Sequence, residues 1–197
     1  RTSIERYAEG RRLIVVMPDG HRRFYVNDPR PGGFACEDHI VRDVVGFVDR
    51  AFPTIRGRRG RGVAGLSMGG YGALMLALRH PEAFSAAVSH SGALRFAHEG
   101  RAINEDIRPL DEACRGADYD LWRLARRHTR RRRKVALRLD CGTEDGTLAM
   151  NRRFHVRLEE LGIDHEYVEN PGGHDWAYWD RHVVDTLSFV TRHLRSR

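Results

Sequence analysis

The chain has 197 residues, 41% of them hydrophobic and 31% charged, a size and composition that predict one globular domain over residues 1–197 and exclude intrinsic disorder. Its formal net charge is +7, and no apolar run approaches the ~20 residues of a membrane-spanning helix, so we expect no membrane partner. The chain opens on Arg1 with no signal-like segment, which leads us to expect an incomplete N-terminus.

Short apolar runs and helical patterns alternate along the chain. Leu13 to Met17 form a continuous apolar run that ends at Pro18-Asp19-Gly20, which predicts a buried strand followed by a loop. Residues 93–118 are polar and irregular, and we interpret them as a substrate-facing lid or as an ordinary surface loop. The other predicted strands cover 62–66, 84–89, 135–140 and 164–169, and the predicted helices cover 37–52, 71–78, 119–128, 147–161 and 180–193. Strands separated by helices predict an α/β fold, with a mainly parallel sheet and helices on both faces.

The most informative motif is Gly65-Leu66-Ser67-Met68-Gly69, a G-x-S-x-G sequence between a predicted strand and a predicted helix. This context is typical of a nucleophile elbow, in which a sharp turn exposes a strained serine at the carboxyl edge of a sheet. The backbone N–H of Met68 then points toward negative charge that develops on a bound carbonyl. A Gly-rich turn with an ordinary serine is the alternative, because the bare motif often arises by chance.

Two further side chains follow predicted strands and complete a candidate catalytic set. Asp145 lies in the loop after one strand, and His174 lies in a Gly-rich loop after the next. The order Ser, Asp, His is that of α/β-hydrolases, in which a histidine takes the serine proton and a carboxylate orients the histidine. Asp140 and Glu144 compete for the role of the acid, and we favour Asp145 because Asp140 should still lie within or at the end of its strand.

The basic residues and the cysteines predict no further chemistry. An arginine-rich run over 126–134 is a candidate for contact with phosphates. It lacks a nucleic-acid motif and interleaved aromatic residues, so we interpret it as a solvated helix end and expect no nucleic-acid partner. Cys36, Cys114 and Cys141 have no paired spacing, and no HExxH motif is present, so we expect reduced thiols, a cytoplasmic protein and no metal site.

Four stretches of the chain occur together in the order found in one known family. They are Val16-Met17-Pro18-Asp19-Gly20; Gly65-Leu66-Ser67-Met68-Gly69-Gly70-Tyr71-Gly72-Ala73 with His80-Pro81 and Phe84; Asp140-Cys141-Gly142-Thr143-Glu144-Asp145; and Gly172-Gly173-His174-Asp175-Trp176. Together they resemble the esterase D group of α/β-hydrolases, which includes tributyrin-type esterases, S-formylglutathione hydrolases, feruloyl and acetyl-xylan esterases, and mycolyltransferases. The short spacings look most like the tributyrin-type carboxylesterases.

This resemblance implies an α/β-hydrolase fold and a role for each candidate residue. Ser67 is then the nucleophile, His174 the base and Asp145 the acid, and the Met68 N–H is one oxyanion donor. The resemblance also implies that neither a metal nor an organic cofactor takes part. Trp176 and Asp19 are further candidates for contacts with the substrate.

One part of the family's pattern is missing from the chain. In the family, a strand ending in a His-Gly-rich loop precedes the Met-Pro-Asp-Gly strand and donates the second oxyanion N–H. No His-Gly-x-Gly sequence occurs in residues 1–197, so we expect the second donor to be missing upstream and the sheet to lack its N-terminal strands. The family's strand order places the missing strand between the strands at 13–17 and 62–66. Either the chain is part of a longer protein, or these two strands pair directly.

The resulting hypothesis is a serine carboxylesterase that hydrolyses short-chain acyl esters of small molecules through an acyl-enzyme. Within the same chemistry, the alternatives are an acyltransferase, an S-formylglutathione hydrolase or a carbohydrate esterase. A non-catalytic or truncated hydrolase-like domain is the alternative from a different class. The oligomeric state does not follow from the sequence.

Overall fold

A four-stranded parallel sheet organises the chain. The computed structural model describes residues 2–98, 104–116 and 118–194, and within these ranges the strand order is β1-β2-β3-β4. The strands are β1 (Gly62–Leu66), β2 (Ala86–His90), β3 (Ala136–Gly142) and β4 (His165–Asn170). Their register pairs Leu66 with His90, and His90 with Asp140. Because all neighbouring strands are parallel, their carboxyl ends meet at one edge of the sheet.

Helices cover both faces of this sheet, as the sequence predicts. The helical elements are α1 (Ile4–Ala8), α2 (Cys36–Asp38), a π-helical segment (His39–Val44), α3 (Val45–Ala51), a 3₁₀ turn (Arg58–Gly60), α4 (Met68–Arg79), α5 (Arg108–Cys114), α6 (Leu121–His128), α7 (Leu148–Glu160) and α8 (Trp176–His193). On one face α4 contacts β1 and β2, and α7 contacts β3. On the other face Phe189 of α8 packs with Ala86 and Val88 of β2.

Helix α4 is the central helix of the main core. Nine of its twelve residues are buried, from Gly70 to Leu78, because the sequence is apolar on all sides and contacts β1, β2 and α6. The helix begins directly after Ser67 and ends at Arg79, before the His80-Pro81 dipeptide, as proline restricts the residue that precedes it. The elbow is therefore built on the most deeply buried helix of the domain.

The predicted buried strand over residues 13–17 is wrong. This segment forms no strand and is largely exposed to solvent, Met17 by 69%. Direct pairing with β1 does not occur either, because within the described residues β1 pairs only with β2. An apolar run becomes a strand only where a neighbouring strand satisfies its backbone groups and covers its side chains. Without that neighbour, the segment borders an apolar groove that is also lined by Phe47 and Phe52.

The segment over 93–118 is more ordered than the sequence predicts. It contains α5, and the Asp111 carboxylate on this helix accepts a hydrogen bond from the Ala97 N–H at 2.7 Å. Leu94 and Phe96 are fully buried in the main core. Residues 99–103 and 117 of the segment lie outside the described residues. Leu94, Phe96 and the buried side of α5 are therefore packed into the main core.

The C-terminal helix begins earlier than the predicted start at Asp180. The Asp175 side chain accepts a hydrogen bond from the Tyr178 N–H at 2.9 Å and caps α8 at its N-terminus. An aspartate at this position satisfies a backbone donor that has no partner within the helix. As a result, Trp176, Tyr178 and Trp179 belong to α8 and lie directly after the His174 loop.

A buried ion-pair network joins α2 to the C-terminal end of α4. The Glu37 carboxylate is 1% exposed and accepts hydrogen bonds from Arg79 Nε (2.5 Å), His80 Nε2 (2.6 Å) and the Tyr119 hydroxyl (2.8 Å). Burial opposes the charge on Glu37, but the three hydrogen bonds hold its pKa below the usual value. The hydrogen bond to Glu37 raises the pKa of His80.

We expect Glu37→Gln to lower the free energy of unfolding by about 3 kcal/mol near pH 6, because it leaves Arg79 and His80 without their carboxylate. The contribution of Glu37 is present above its unfolded pKa, near 4.5, and is lost as the pH falls through its lower folded pKa. The contribution of His80 is present below its unfolded pKa, near 6.5, and is lost as the pH rises through its higher folded pKa.

The difference in the free energy of unfolding between wild type and Glu37→Gln should therefore be largest between about pH 5 and 6.5, and should shrink at lower and at higher pH. Urea unfolding at three pH values measures this difference. Glu82→Gln is the matched control, because Glu82 bonds the other ring nitrogen of His80 from an exposed position. Equal losses of unfolding free energy in the two variants would contradict a dominant role for the buried Glu37 carboxylate.

Candidate active site

The carboxyl edge of the sheet brings together the three residues that the sequence singles out. Ser67 directly follows β1, Asp145 lies in the loop after β3, and His174 lies in the loop after β4. His174 Nε2 is 2.9 Å from Ser67 Oγ, and His174 Nδ1 is 3.0 and 2.9 Å from the two carboxylate oxygens of Asp145. The three side chains form a continuous hydrogen-bonded chain, with the geometry of a nucleophile, a base and an orienting acid.

Ser67 occupies a strained backbone conformation. Its φ of 53° and ψ of −116° lie outside the regions that residues with a side chain normally adopt. The surrounding backbone holds it there, since the Ser67 N–H donates to the His90 carbonyl at 2.8 Å and the Ala93 N–H donates to the Ser67 carbonyl at 3.0 Å. Gly65 is required for this turn, because a Cβ at that position would lie 2.2 Å from the Gly69 carbonyl oxygen.

The Asp145 carboxylate is fully buried and well bonded. One of its oxygens accepts hydrogen bonds from the Thr147 N–H at 2.7 Å and the Thr147 hydroxyl at 2.8 Å. Burial by itself would raise the pKa of Asp145, but the hydrogen bonds from Thr147, Ser91 and His174 hold it below the usual value. The group is therefore an ionised acceptor for the His174 Nδ1–H near neutral pH.

Within the described residues, neither of the two competing carboxylates is hydrogen-bonded to His174. Asp140 lies within β3, and its buried carboxylate bonds His90 Nδ1 at 2.8 Å and the Tyr178 hydroxyl at 3.0 Å. Glu144 is exposed, and its N–H donates to the carbonyl of the His174 loop. Among the three candidates, Asp145 is the one whose carboxylate is bonded to His174 within the described residues.

Backbone contacts hold the Asp145 loop against the His174 loop. The Thr143 N–H donates to the Asn170 carbonyl at 2.9 Å, and the Glu144 N–H donates to the Gly172 carbonyl at 3.0 Å. At Gly142, a Cβ would lie 2.1 Å from that Gly172 oxygen. The two loops thus approach each other more closely than side chains would allow, which fixes the distance between Asp145 and His174.

The remaining predicted site residues differ in how close they lie to Ser67, His174 and Asp145. Met68 is the first residue of α4, so its N–H has no acceptor within the helix. Trp176 is 46% exposed and packs edge-on against Trp179. The Trp179 ring contacts the His174 ring edge-on, with 4.9 Å between the ring centroids. Asp19 is exposed just before a turn and accepts a hydrogen bond from the His21 N–H, and within the described residues no hydrogen bond joins it to Ser67, His174 or Asp145.

Tyr25 is a residue near the elbow that the sequence analysis missed. A Cβ at Gly72 would lie 2.4 Å from the Tyr25 ring, and a Cβ at Gly69 would lie 3.7 Å from its hydroxyl. Burial, with the nearby Cys36 and Asp19, raises the pKa of Tyr25. The glycines at 69 and 72 indicated that another part of the chain packs closely on this side of α4. The sequence did not indicate which residue that is.

Other candidate features lie apart from the triad. The basic run over 126–134 lies at the opposite edge of the sheet, since it precedes the start of β3, and Lys134 Nζ donates to the carbonyls of His128 and Thr129. The three cysteines are free and buried. Within residues 2–98, 104–116 and 118–194, we find no cluster of His, Cys, Asp or Glu that could hold a metal ion. Nor is any helix in these ranges long and apolar enough to cross a membrane.

A parallel α/β sheet with a strained serine between strand and helix, and a Ser-His-Asp chain at its carboxyl edge, defines the class of α/β-hydrolases. The chain belongs to the esterase family, because the family model described as "Putative esterase" matches residues 2–190. It is therefore a hydrolase of the class that acts on carboxylic ester bonds.

Three similar proteins illustrate this membership. An acetyl esterase from Caldicellulosiruptor saccharolyticus is 27% identical over 194 residues, which cover 91% of this chain and 72% of the relative. Esterase Rv1288 of Mycobacterium tuberculosis is 33% identical over 193 residues, which cover 84% of this chain and 42% of the relative. The fluorophosphonate-binding serine hydrolase FphF of Staphylococcus aureus superimposes with a TM-score of 0.83 at 27% identity, covering 96% of this chain and 75% of that one.

We expect Ser67→Gly to be more stable than Ser67→Ala by about 1 kcal/mol, because glycine adopts the strained backbone at little cost whereas alanine keeps most of the strain. Both variants lack the hydroxyl, so the comparison isolates the backbone. Urea unfolding of the two proteins measures the difference. If alanine is as stable as glycine at this position, the turn stores no strain.

Proposed function

We propose that this chain is a serine carboxylesterase that hydrolyses short-chain acyl esters of small molecules through an acyl-enzyme. Ser67 is the nucleophile, His174 the general base and Asp145 the acid that orients it. The unbroken hydrogen-bonded chain from Ser67 Oγ through His174 to Asp145 is the observation that carries this proposal. Membership of the esterase family supports it independently.

The first half of the reaction acylates Ser67. The Asp145 carboxylate accepts the His174 Nδ1–H, which leaves the Nε2 lone pair facing Ser67 Oγ. His174 Nε2 takes the hydroxyl proton as the Ser67 oxygen bonds to the ester carbonyl carbon. The same proton then passes to the departing alkoxide, the carbon–oxygen bond to the alcohol breaks, and an acyl-enzyme remains.

The second half uses water in place of the alcohol. His174 Nε2 removes a proton from a water molecule as the water oxygen bonds to the acyl carbon. The bond from that carbon to Ser67 Oγ breaks, and the serine takes the proton back from His174. A carboxylic acid leaves, and the three side chains return to their starting protonation.

The Met68 N–H at the start of α4 is the oxyanion donor that we propose. It lies directly after the nucleophile, where the carbonyl oxygen of a bound ester gains negative charge. The resemblance described above assigns the second donor to a His-Gly-rich loop, a motif that residues 1–197 do not contain. Because one lost donor typically costs about 100- to 1000-fold in kcat, we expect slow turnover from this chain.

Two observations support a short acyl group. Within the described parts of the segment at 93–118, Leu94, Phe96 and Leu110 are buried in the core, so these side chains are not available to line a long acyl-binding channel. Trp176 presents a half-exposed apolar surface that packs against Trp179, whose ring contacts His174. We therefore propose Trp176 as a contact for the substrate, and the acetyl esterase relative is consistent with a small acyl group.

We expect the chain to hydrolyse p-nitrophenyl acetate and butyrate faster than the octanoate, and Ser67→Ala to reduce each rate more than ~1000-fold. Release of p-nitrophenolate measures the rates, and labelling by a fluorophosphonate probe reports whether the serine is activated. Ser188→Ala is a matched control, because that serine lies on α8 and donates to the Val184 carbonyl of its own helix. A folded wild type that neither turns over nor is labelled would favour a non-catalytic domain.

We expect Asp145→Asn to lower kcat by about 10³- to 10⁴-fold with the fold retained, because an amide cannot hold His174 in the required tautomer. Asp140→Asn should instead lower stability with a much smaller effect on kcat, since Asp140 bonds His90 and Tyr178 in the interior. Steady-state kinetics and thermal unfolding of both variants make the comparison. The reverse pattern would transfer the role of the acid to Asp140.

A further inference from the structure

A cavity of about 840 Å³ opens at the amino ends of the strands, the edge of the sheet opposite the triad. Its volume lies in the range of sites that hold a small molecule. Six of the ionisable side chains in its walls are basic and one is acidic: Arg58, Arg59, His128, Lys134, Arg192 and His193, against Asp164. A cavity with walls of one predominant sign concentrates the opposite charge, so this cavity is suited to an anion.

Two of these cations are held in place by uncharged groups. Arg58 donates from Nε to the Pro81 carbonyl at 2.7 Å and from Nη2 to the Lys134 carbonyl at 2.6 Å. Lys134 Nζ donates to the carbonyls of His128 and Thr129 at 3.0 and 2.8 Å. Neither cation has a carboxylate partner within the described residues. The carbonyls fix the position of each charge without neutralising it, so both charges remain available to an anion.

Arg59 adds a positive charge that helix capping does not explain. It belongs to the 3₁₀ turn, is exposed, and makes no ion pair within the part of the chain that the structure describes. Burial, together with the nearby Arg133 and Arg59, lowers the pKa of Arg58. Capping of α6 accounts for Lys134, whereas Arg59 bonds no helix carbonyl in the same ranges. An anion in the cavity would reduce the repulsion between these like charges.

His128 contributes a buried donor to the wall of the cavity. It is 1% exposed, and its Nε2 is 3.3 Å from the Val135 nitrogen. Because the backbone N–H can only donate, Nε2 is the acceptor and the neutral ring carries its hydrogen on Nδ1. Burial, with Lys134 and other nearby cations, lowers the pKa of His128 to about 4, so the ring is neutral near pH 7. Within residues 2–98, 104–116 and 118–194, Nδ1 has no hydrogen-bond partner. A buried donor without a partner points to an acceptor that the chain itself does not supply.

We infer that this cavity is a binding site for the phosphate group of a small-molecule ligand, held by Arg58, Lys134 and the His128 Nδ1–H. The guanidinium and the ammonium are the side chains that most often bind phosphate, and the imidazole adds a neutral donor. Leu161 and Ile163 form an apolar part of the same cavity, which is suited to an uncharged portion of the ligand. The site does not depend on the proposed esterase activity, because it lies at the other edge of the sheet.

Calorimetric titration of the whole chain with pyrophosphate, at pH 7 and constant ionic strength, tests this inference. We expect saturable binding that Arg58→Gln weakens about 10-fold, because a charge-assisted hydrogen bond to the anion is lost. Arg59→Gln should weaken it about 3-fold, since this side chain is exposed to solvent. Arg153→Gln is the matched control: Arg153 is exposed on α7 and lies outside the cavity, and its replacement removes the same charge without changing the affinity.

Binding that does not saturate, or an equal loss of affinity in Arg153→Gln, would overturn the inference. Should Arg58→Gln fail to fold, as judged by circular dichroism, Arg59→Gln and Arg153→Gln make the same comparison. In ¹⁵N-edited NMR, pyrophosphate should shift the signals of the His128 ring. An unchanged His128 ring at saturating pyrophosphate would place the anion outside the cavity and contradict the site.

Parallel titrations identify the kind of ligand. Inorganic phosphate and phenyl phosphate distinguish a free from an organic phosphate, because only the phenyl group gains from contact with Leu161 and Ile163. A single-stranded oligonucleotide that binds where pyrophosphate does not would overturn the inference in favour of a nucleic-acid surface. Pyrophosphate should leave hydrolysis of p-nitrophenyl acetate unchanged. Competitive inhibition would instead place the anion beside Ser67 and contradict the separate site.

Discussion

The parallel alignment of the four strands is the constraint on which the site depends. Residues far apart in the sequence meet because each follows the carboxyl end of a strand, and those ends lie at one edge. The spacing between the strands then sets the distances between Ser67, Asp145 and His174. Side chains complete the arrangement, but the sheet determines which loops can contact one another.

The sequence could predict the parts of the site that are encoded locally. The elbow is recognisable because Gly65 and Ser67 are needed by a single tight turn, where a Cβ at the glycine would overlap the backbone of α4. Asp145 could be favoured over Asp140 from the length of the strand alone, since a residue inside β3 cannot reach the loop after β4. Each of these predictions needs only the residues within a few positions of the motif.

Features that depend on distant contacts could not be predicted in this way. The apolar run at 13–17 has the composition of a buried strand, but a strand also needs a neighbour to bond, and composition does not supply one. Tyr25 packs on α4 from a turn more than forty positions earlier, and nothing in its local sequence indicates this contact. Ser91 is similar, because its hydroxyl oxygen accepts a hydrogen bond from Trp179 on a helix near the end of the chain.

The polar interior behind the triad shows how the edge of the sheet is held in place. The buried His90 ring bonds Asp140 of β3 on one side and Thr186 of α8 on the other, so side chains as well as packing connect β2 to β3 and to α8. Burying polar groups is costly unless each one finds a partner, and here the partners come from three different elements. Both nitrogens of the His90 ring have partners in this arrangement of β2, β3 and α8, and a shift of any one of these elements would remove a partner.

Two strained serines lie at the edge that this network supports. Ser67 and Ser91 both have positive φ, end neighbouring strands, and are joined through the bond from the Ser67 N–H to the carbonyl of the residue before Ser91. Strained backbone persists only where its surroundings fix it, so a rigid interior is a condition for exposing a serine in this conformation. The packing of this interior and the geometry of the candidate nucleophile are therefore coupled, because the backbone bond that holds Ser67 comes from His90, whose ring is part of the network.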